Sequence, residues 1–89
     1  MQKIYKYFYD ADKGEAILPF EAKILKVEKQ EGIWFVWALV DERNDNVRRL
    51  IPVFGTGYKV PSDIGPHIDT VFDGPFVWHF FDKIGRAHV

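Results

Sequence analysis

Residues 33–40 read IWFVWALV, and no choice of pleat gives this segment a wet side. Successive side chains of a strand point to opposite faces. Trp34, Val36, Ala38 and Val40 therefore share one face, and Ile33, Phe35, Trp37 and Leu39 the other. Both faces are apolar. The segment FVWHFF behaves the same way, with Phe76, Trp78 and Phe80 on one side and Val77, His79 and Phe81 on the other. An antiparallel sheet usually wets one face and alternates polar with apolar residues. A helix over 22–40 is the competing assignment. Gly32 interrupts it, and the aromatic and β-branched content of 33–40 favours a pleated surface. No segment reads as a helix long enough to form a covering layer. A strongly curled sheet that shelters itself, a ligand, or a second copy of the chain then has to supply the cover. A homodimer is expected, because one patch serves both partners.

The rest of the chain supplies more strands. KIYKYFYD (Lys3–Asp10) reads as a strand and ADKGE as a turn, with a corner at Pro19. Ala22–Gln30 reads as a strand joined to 33–40 through a hairpin at Glu31-Gly32. DERNDN is a polar loop, and VRRLIPVF (47–54) is a strand bent or ended near Pro52. Residues 55–68 hold Gly55, Gly57, Gly65, Pro61 and Pro66, the composition of a long structured loop with a short helical turn near 61–68. DTVFDGPFVWHFF closes the chain as a hairpin around Asp73-Gly74-Pro75. The expected fold is mostly β, a small antiparallel sandwich or half-barrel of five to six strands. One domain over 1–83 is expected, since 89 residues leave no room for a second core. A chain this short buries only about 60% of its unfolded surface. No cysteine is present to add disulfides, which fits a reducing compartment. The last six residues, IGRAHV, resemble a translated sequencing-adapter oligonucleotide, so Ile84–Val89 are expected to be a non-native tail and are set aside.

Composition excludes several chemistries. Twelve basic against thirteen acidic residues give a net charge of −1, and Arg48-Arg49 follow the acidic DERND, so no nucleic-acid partner is expected. No apolar run approaches the roughly 18 residues of a membrane span, and no signal-peptide core is present. A soluble protein of the cytoplasm, with no membrane partner, is the expectation. His67 and His79 are the histidines before the tail and there is no thiolate, so no metal site or cofactor is expected. Ser62, in a PSD turn, is no nucleophile elbow. A non-enzymatic protein follows.

The stretch FGTG (Phe54–Gly57) is neither a Walker loop nor a dinucleotide fingerprint. Two readings stay open. Gly55 and Gly57 supply positive φ at a corner, or Gly55, Thr56 and Gly57 present backbone N–H groups and a hydroxyl as an anion nest. Arg48 and Arg49 feed this loop and point to opposite faces, so one of them turns inward or toward a partner. Its planar fork suits phosphate or carboxylate. Tyr58 offers a ring on which a base can stack. His79 is either a core histidine bonded to a backbone carbonyl or a donor projecting into a pocket.

The order of IYKY, LPFEAKILKVEKQEG, WALVD, GTG, DTV and VWHFF resembles a family of small phage and bacterial proteins that share a domain of unknown function. Members often carry glycine where this chain has Asp69. The resemblance implies a compact, β-rich or mixed fold and a phage setting, and no activity. Together with the candidate ligand residues Arg48, Arg49, Gly55, Thr56, Gly57, Tyr58 and His79, it suggests a binder that sequesters a nucleotide-derived, phosphate-bearing immune signal, in the host cytoplasm if phage-encoded. The alternative is an inhibitor or adaptor of a host defence protein, acting through an apolar face or a strand edge, with Asp41–Asn46 as a rim contact.

Overall fold

The structure, a computed structural model, describes residues 1–83; the adapter-like tail at 84–89 lies outside them. The described chain forms eight strands: β1 (Lys3–Asp10), β2 (Glu15–Pro19), β3 (Lys23–Gln30), β4 (Ile33–Val40), β5 (Asn46–Leu50), β6 (Val53–Gly55), β7 (His67–Asp73) and β8 (Phe76–Phe81). A five-stranded sheet has the order β3-β4-β1-β2-β5 and a three-stranded sheet the order β6-β8-β7. Every pairing is antiparallel. The all-β, antiparallel class is as expected, built as two sheets rather than a closed barrel. The strand number is not. β2 was hidden by its terminal Pro19, and the 47–54 segment divides at Ile51-Pro52 into β5 and β6.

Pro52 lacks an N–H and cannot continue a ladder, so the chain leaves the large sheet there and enters the small one. Ile51 N–H donates to the Gly14 carbonyl at 2.8 Å, and the Pro52 carbonyl accepts from Phe81 N–H at 3.0 Å. The helical turn expected near 61–68 does not form among the described residues. Ile64 N–H bonds to the Pro61 carbonyl across one turn, and Gly65 at φ 104° is far from helical backbone.

The β3–β4 and β7–β8 hairpins follow their turn chemistry. Glu31 and Gly32 have φ of 50° and 83°, the two positive values that a type I′ turn demands. Gly74 at φ 58° followed by Pro75 suits a type II′ turn, which places glycine first. β1 is shared by both halves of the large sheet. It pairs with β4 from Lys3 to Phe8, and with β2 only at Tyr9 and Asp10.

The core lies between the sheets. Val36, Ala38 and Val40 from β4 are buried together with Tyr9, Leu18, Val27, Ile51, Val71 and Phe80. Tyr9 and Phe80 meet edge to face at 5.5 Å, and Trp34 tilts over Phe80 at 5.4 Å. The Tyr9 hydroxyl donates to the Ile51 carbonyl at 2.6 Å, and burial pushes its phenol far above the ordinary tyrosine range.

Two polar staples fasten the sheets to each other. Arg49 forms a bidentate pair with Asp82, Nε to Oδ1 at 2.9 Å and Nη2 to Oδ2 at 2.7 Å, and its Nη1 donates to the Ala22 carbonyl. The other is Asp69. A bulge at His67/Asp69 lets one of its oxygens accept both Val27 N–H and Lys26 Nζ at 3.0 Å. A carboxylate thus satisfies the edge of β3.

Candidate functional site

The outer face of the small sheet carries a chain of polar side chains among aromatic rings. Register sets its centre. Thr70 on β7 and Phe54 on β6 lie opposite His79 on β8. His79 Nδ1 is 3.1 Å from Thr70 Oγ1, and its Nε2 is 2.8 Å from Thr56 Oγ1. The β7 bulge brings His67 Nε2 to 2.8 Å from the same Thr70 oxygen. A threonine hydroxyl donates one hydrogen and accepts others. Thr70 therefore donates to one imidazole and accepts from the other, or accepts from both. The run His67–Thr70–His79–Thr56 is thus continuous. Phe81 packs edge-on against both Phe54 and His67, at 5.9 and 5.5 Å, and Phe72, opposite Val77 toward the hairpin end of the ladder, is 78% exposed.

Five of the seven residues singled out in the sequence gather near this chain, and the two arginines do not. Gly55, Thr56, Gly57 and Tyr58 form the corner after β6, with His79 beside Thr56. The backbone donors of that corner are largely engaged. Thr56 N–H bonds to the Val77 carbonyl and Tyr58 N–H to the Gly55 carbonyl, so the loop is built as a turn. Only Gly57 of the pair has a positive φ, 92°. Gly55 is glycine for another reason: a Cβ there would lie 3.3 Å from both the Trp78 and Tyr58 rings. Tyr58 is otherwise 74% exposed.

Arg49 is the inward arginine. It pairs with Ala16, a buried residue of β2, and its fork is taken by Asp82. Asp82 follows β8 at the end away from Gly55, which pairs with Trp78. Arg48 faces the other way and reaches Glu15 at 3.4 Å. His79 bonds to two threonine hydroxyls, not to a backbone carbonyl. Thr70 and His67 were missed. Counting back from the Gly74-Pro75 turn does place Thr70 opposite His79. His67 joins only through the bulge, which no sequence pattern announces.

The outer face of the large sheet is the more exposed apolar surface. Ile4 pairs with Leu39, Lys6 with Trp37 and Phe8 with Phe35. Ile4 and Phe8 are both 59% exposed, Phe35, Trp37 and Leu39 are half-buried, and Ile33 extends the row. Lys6 sits at the middle rung, its ammonium 4.4 Å from the Phe35 ring centre and 5.9 Å from that of Trp37. It donates to Gln30 Oε1. Among the described residues no carboxylate pairs with it. No described layer lies over this face, because the small sheet packs on the other. The acidic loop after β4 is spent internally. Hydrogen bonds from Arg43 hold the Asp41 carboxyl well below the usual range, and the hydrogen bond from Lys3 lowers that of Glu42. Among the described residues no cluster of three or more His, Cys, Asp or Glu converges, and no helix is long and apolar enough to cross a membrane.

These surfaces and sheets define an all-β protein of two packed antiparallel sheets, with an apolar outer face on the larger and an aromatic, hydroxyl-bridged histidine face on the smaller. The chain belongs to the family described as a domain of unknown function (DUF7352), whose model matches residues 1–88. No curated protein and no solved structure matches it.

Proposed function

We propose that the protein is a non-enzymatic interaction module that docks reversibly on a partner protein through the outer face of β4 and β1. The observation that carries the reading is the ladder Ile4–Leu39, Lys6–Trp37, Phe8–Phe35, with none of the described residues layered over it. Size decides the kind of docking. The apolar ladder occupies two eight-residue strands, because β3 turns Glu28 and Gln30 to this face opposite Phe35 and Ile33, and two strands span about 26 by 10 Å, roughly 250 Å². That is slightly below the roughly 300–600 Å² of the largest patches on monomers. It falls short of the ~800 Å² per partner of a stable complex, which points to transient engagement. Charge decides the kind of partner. Lys6 brings one unpaired cation to the centre of an aromatic surface, so the complementary surface is apolar with a carboxylate. A second copy aligned on this rung would set Lys6 against Lys6, which is repulsive.

Selection from a random displayed-peptide library tests this. Enriched peptides should combine aromatic or aliphatic residues with Asp or Glu, and should lose binding to Lys6→Glu and Phe35→Ser. Binders indifferent to both substitutions would remove the reading. A native mass of twice the chain, lost in Phe35→Ser, would assign the face to a second copy instead.

One observation favours a second reading, sequestration of a phosphate-bearing, nucleotide-type signal such as a phage would neutralise. Thr56, His79, Thr70 and His67 converge on an exposed surface beside Phe54, where a ring can stack. Its weakness is that Arg48 and Arg49 lie elsewhere and the corner N–H groups are engaged. A rise in melting temperature with cyclic dinucleotides or cyclic ADP-ribose isomers, abolished by Thr56→Val, supports it. No shift at saturation eliminates it.

A further inference from the structure

A cleft of about 270 Å³ opens between the two sheets, lined by Tyr9, Ala11, Trp34, Val53, Asp73, Trp78 and Phe80. Four of these seven are aromatic, and Asp73 is the one charged group among them. Trp78 Nε1 donates to Asp73 Oδ2 at 3.3 Å, which turns the carboxylate toward the tryptophans. One of the protein's own cations, Lys29, is not among the lining residues but reaches two of them. Lys29 Nζ stands 3.4 Å from both Asp73 oxygens and 5.8 Å from the Trp34 ring centre. A positive charge over a π-face and beside a carboxylate is the arrangement that recognises quaternary and methylated ammonium groups. Lys29 holds that place weakly, since its contacts are long and its side chain is 37% exposed. Exposed ion pairs of this kind contribute little.

We infer that this cleft is a site for an organic ammonium cation, whose head group displaces Lys29 from Trp34 and Asp73. The volume sets the scale of the occupant. It lies just below the roughly 300–1,000 Å³ of drug-sized pockets, so the cleft takes a head group and leaves the rest of the ligand outside. The ammonium rests against Trp34 and Trp78, with the Asp73 carboxylate neutralising it. The inference uses neither the outer face of the large sheet nor the histidine face, so it stands or falls separately from the function proposed above.

The test is a fluorescence titration with choline as probe and 3,3-dimethylbutan-1-ol as its uncharged isostere. A Trp37→Phe background confines the signal to the two cleft tryptophans. Choline should give saturable quenching, with the alcohol at least about tenfold weaker. Asp73→Asn should weaken choline by about tenfold, and Lys29→Gln should tighten it several-fold by removing the resident competitor. Amide protection of β3 and β8 confirms that each variant is folded. Equal binding of choline and the alcohol would show only a greasy crevice and overturn the inference. So would an affinity that Lys29→Gln leaves unchanged or weakens, or no saturation in either the wild type or Lys29→Gln.

Discussion

Tyr9 places a hydroxyl where the core is driest, and one hydrogen bond makes that tolerable. Tyr9→Phe removes the donor and leaves the Ile51 carbonyl unpaired, so it should lower stability by about 1–2 kcal/mol in denaturant titration. The same burial predicts an alkaline limit. The folded phenol ionises well above the ordinary tyrosine value near 10. Above pH ~10 the unfolded chain has therefore lost a proton that the folded chain retains. Stability is fully present below that pH and falls above it, by up to about 1.4 kcal/mol per unit from this group. Tyr9→Phe should flatten the slope. At the β3–β4 turn, Glu31 occupies left-handed backbone at φ 50°, which any residue with a Cβ adopts at a cost. Glu31→Asn creates the preferred Asn-Gly pair and should raise stability by about 0.5–1 kcal/mol. Arg49→Met strands Asp82, which is 9% exposed, and should cost about 3 kcal/mol, whereas Arg48→Met should be nearly neutral.

Among the elements, β3 depends on its neighbour in the other sheet. Asp69→Ala frees Val27 N–H and Lys26 together, and should cost about 2 kcal/mol. Hydrogen exchange should show the loss first at the Val27 amide. Long strands were the legible part of this sequence. β1 and β4 carry eight-residue runs of aromatic and branched residues, and their limits could be read directly. β2 and β6 could not, because five residues ending in proline, and three after one, are too short to show a period. The site was legible in part. His79 stood out for its setting among aromatic residues, and the glycine–threonine corner for its composition. The fate of the arginines was not readable, since Arg49 meets Asp82 across 33 positions and no local pattern links them. Strand alternation did say that one arginine turns inward. Only packing says which, and with what partner.

For the whole molecule, thinness is the governing fact. Two layers bury a single core, and the described chain measures 19 Å across its short axis, so the outward side of the larger layer depends on something else for shelter. The doubled role of β1 has a consequence for biosynthesis. Its long partnership is with β4, about 30 positions downstream, while the β3–β4 and β7–β8 hairpins close locally. On the ribosome, then, Tyr7 and Tyr9, half-buried and buried in the finished fold, emerge well before β4 and β8 arrive to shelter them, and the nascent chain displays a sticky segment that only later translation can retire. Holdase chaperones select for that kind of exposure.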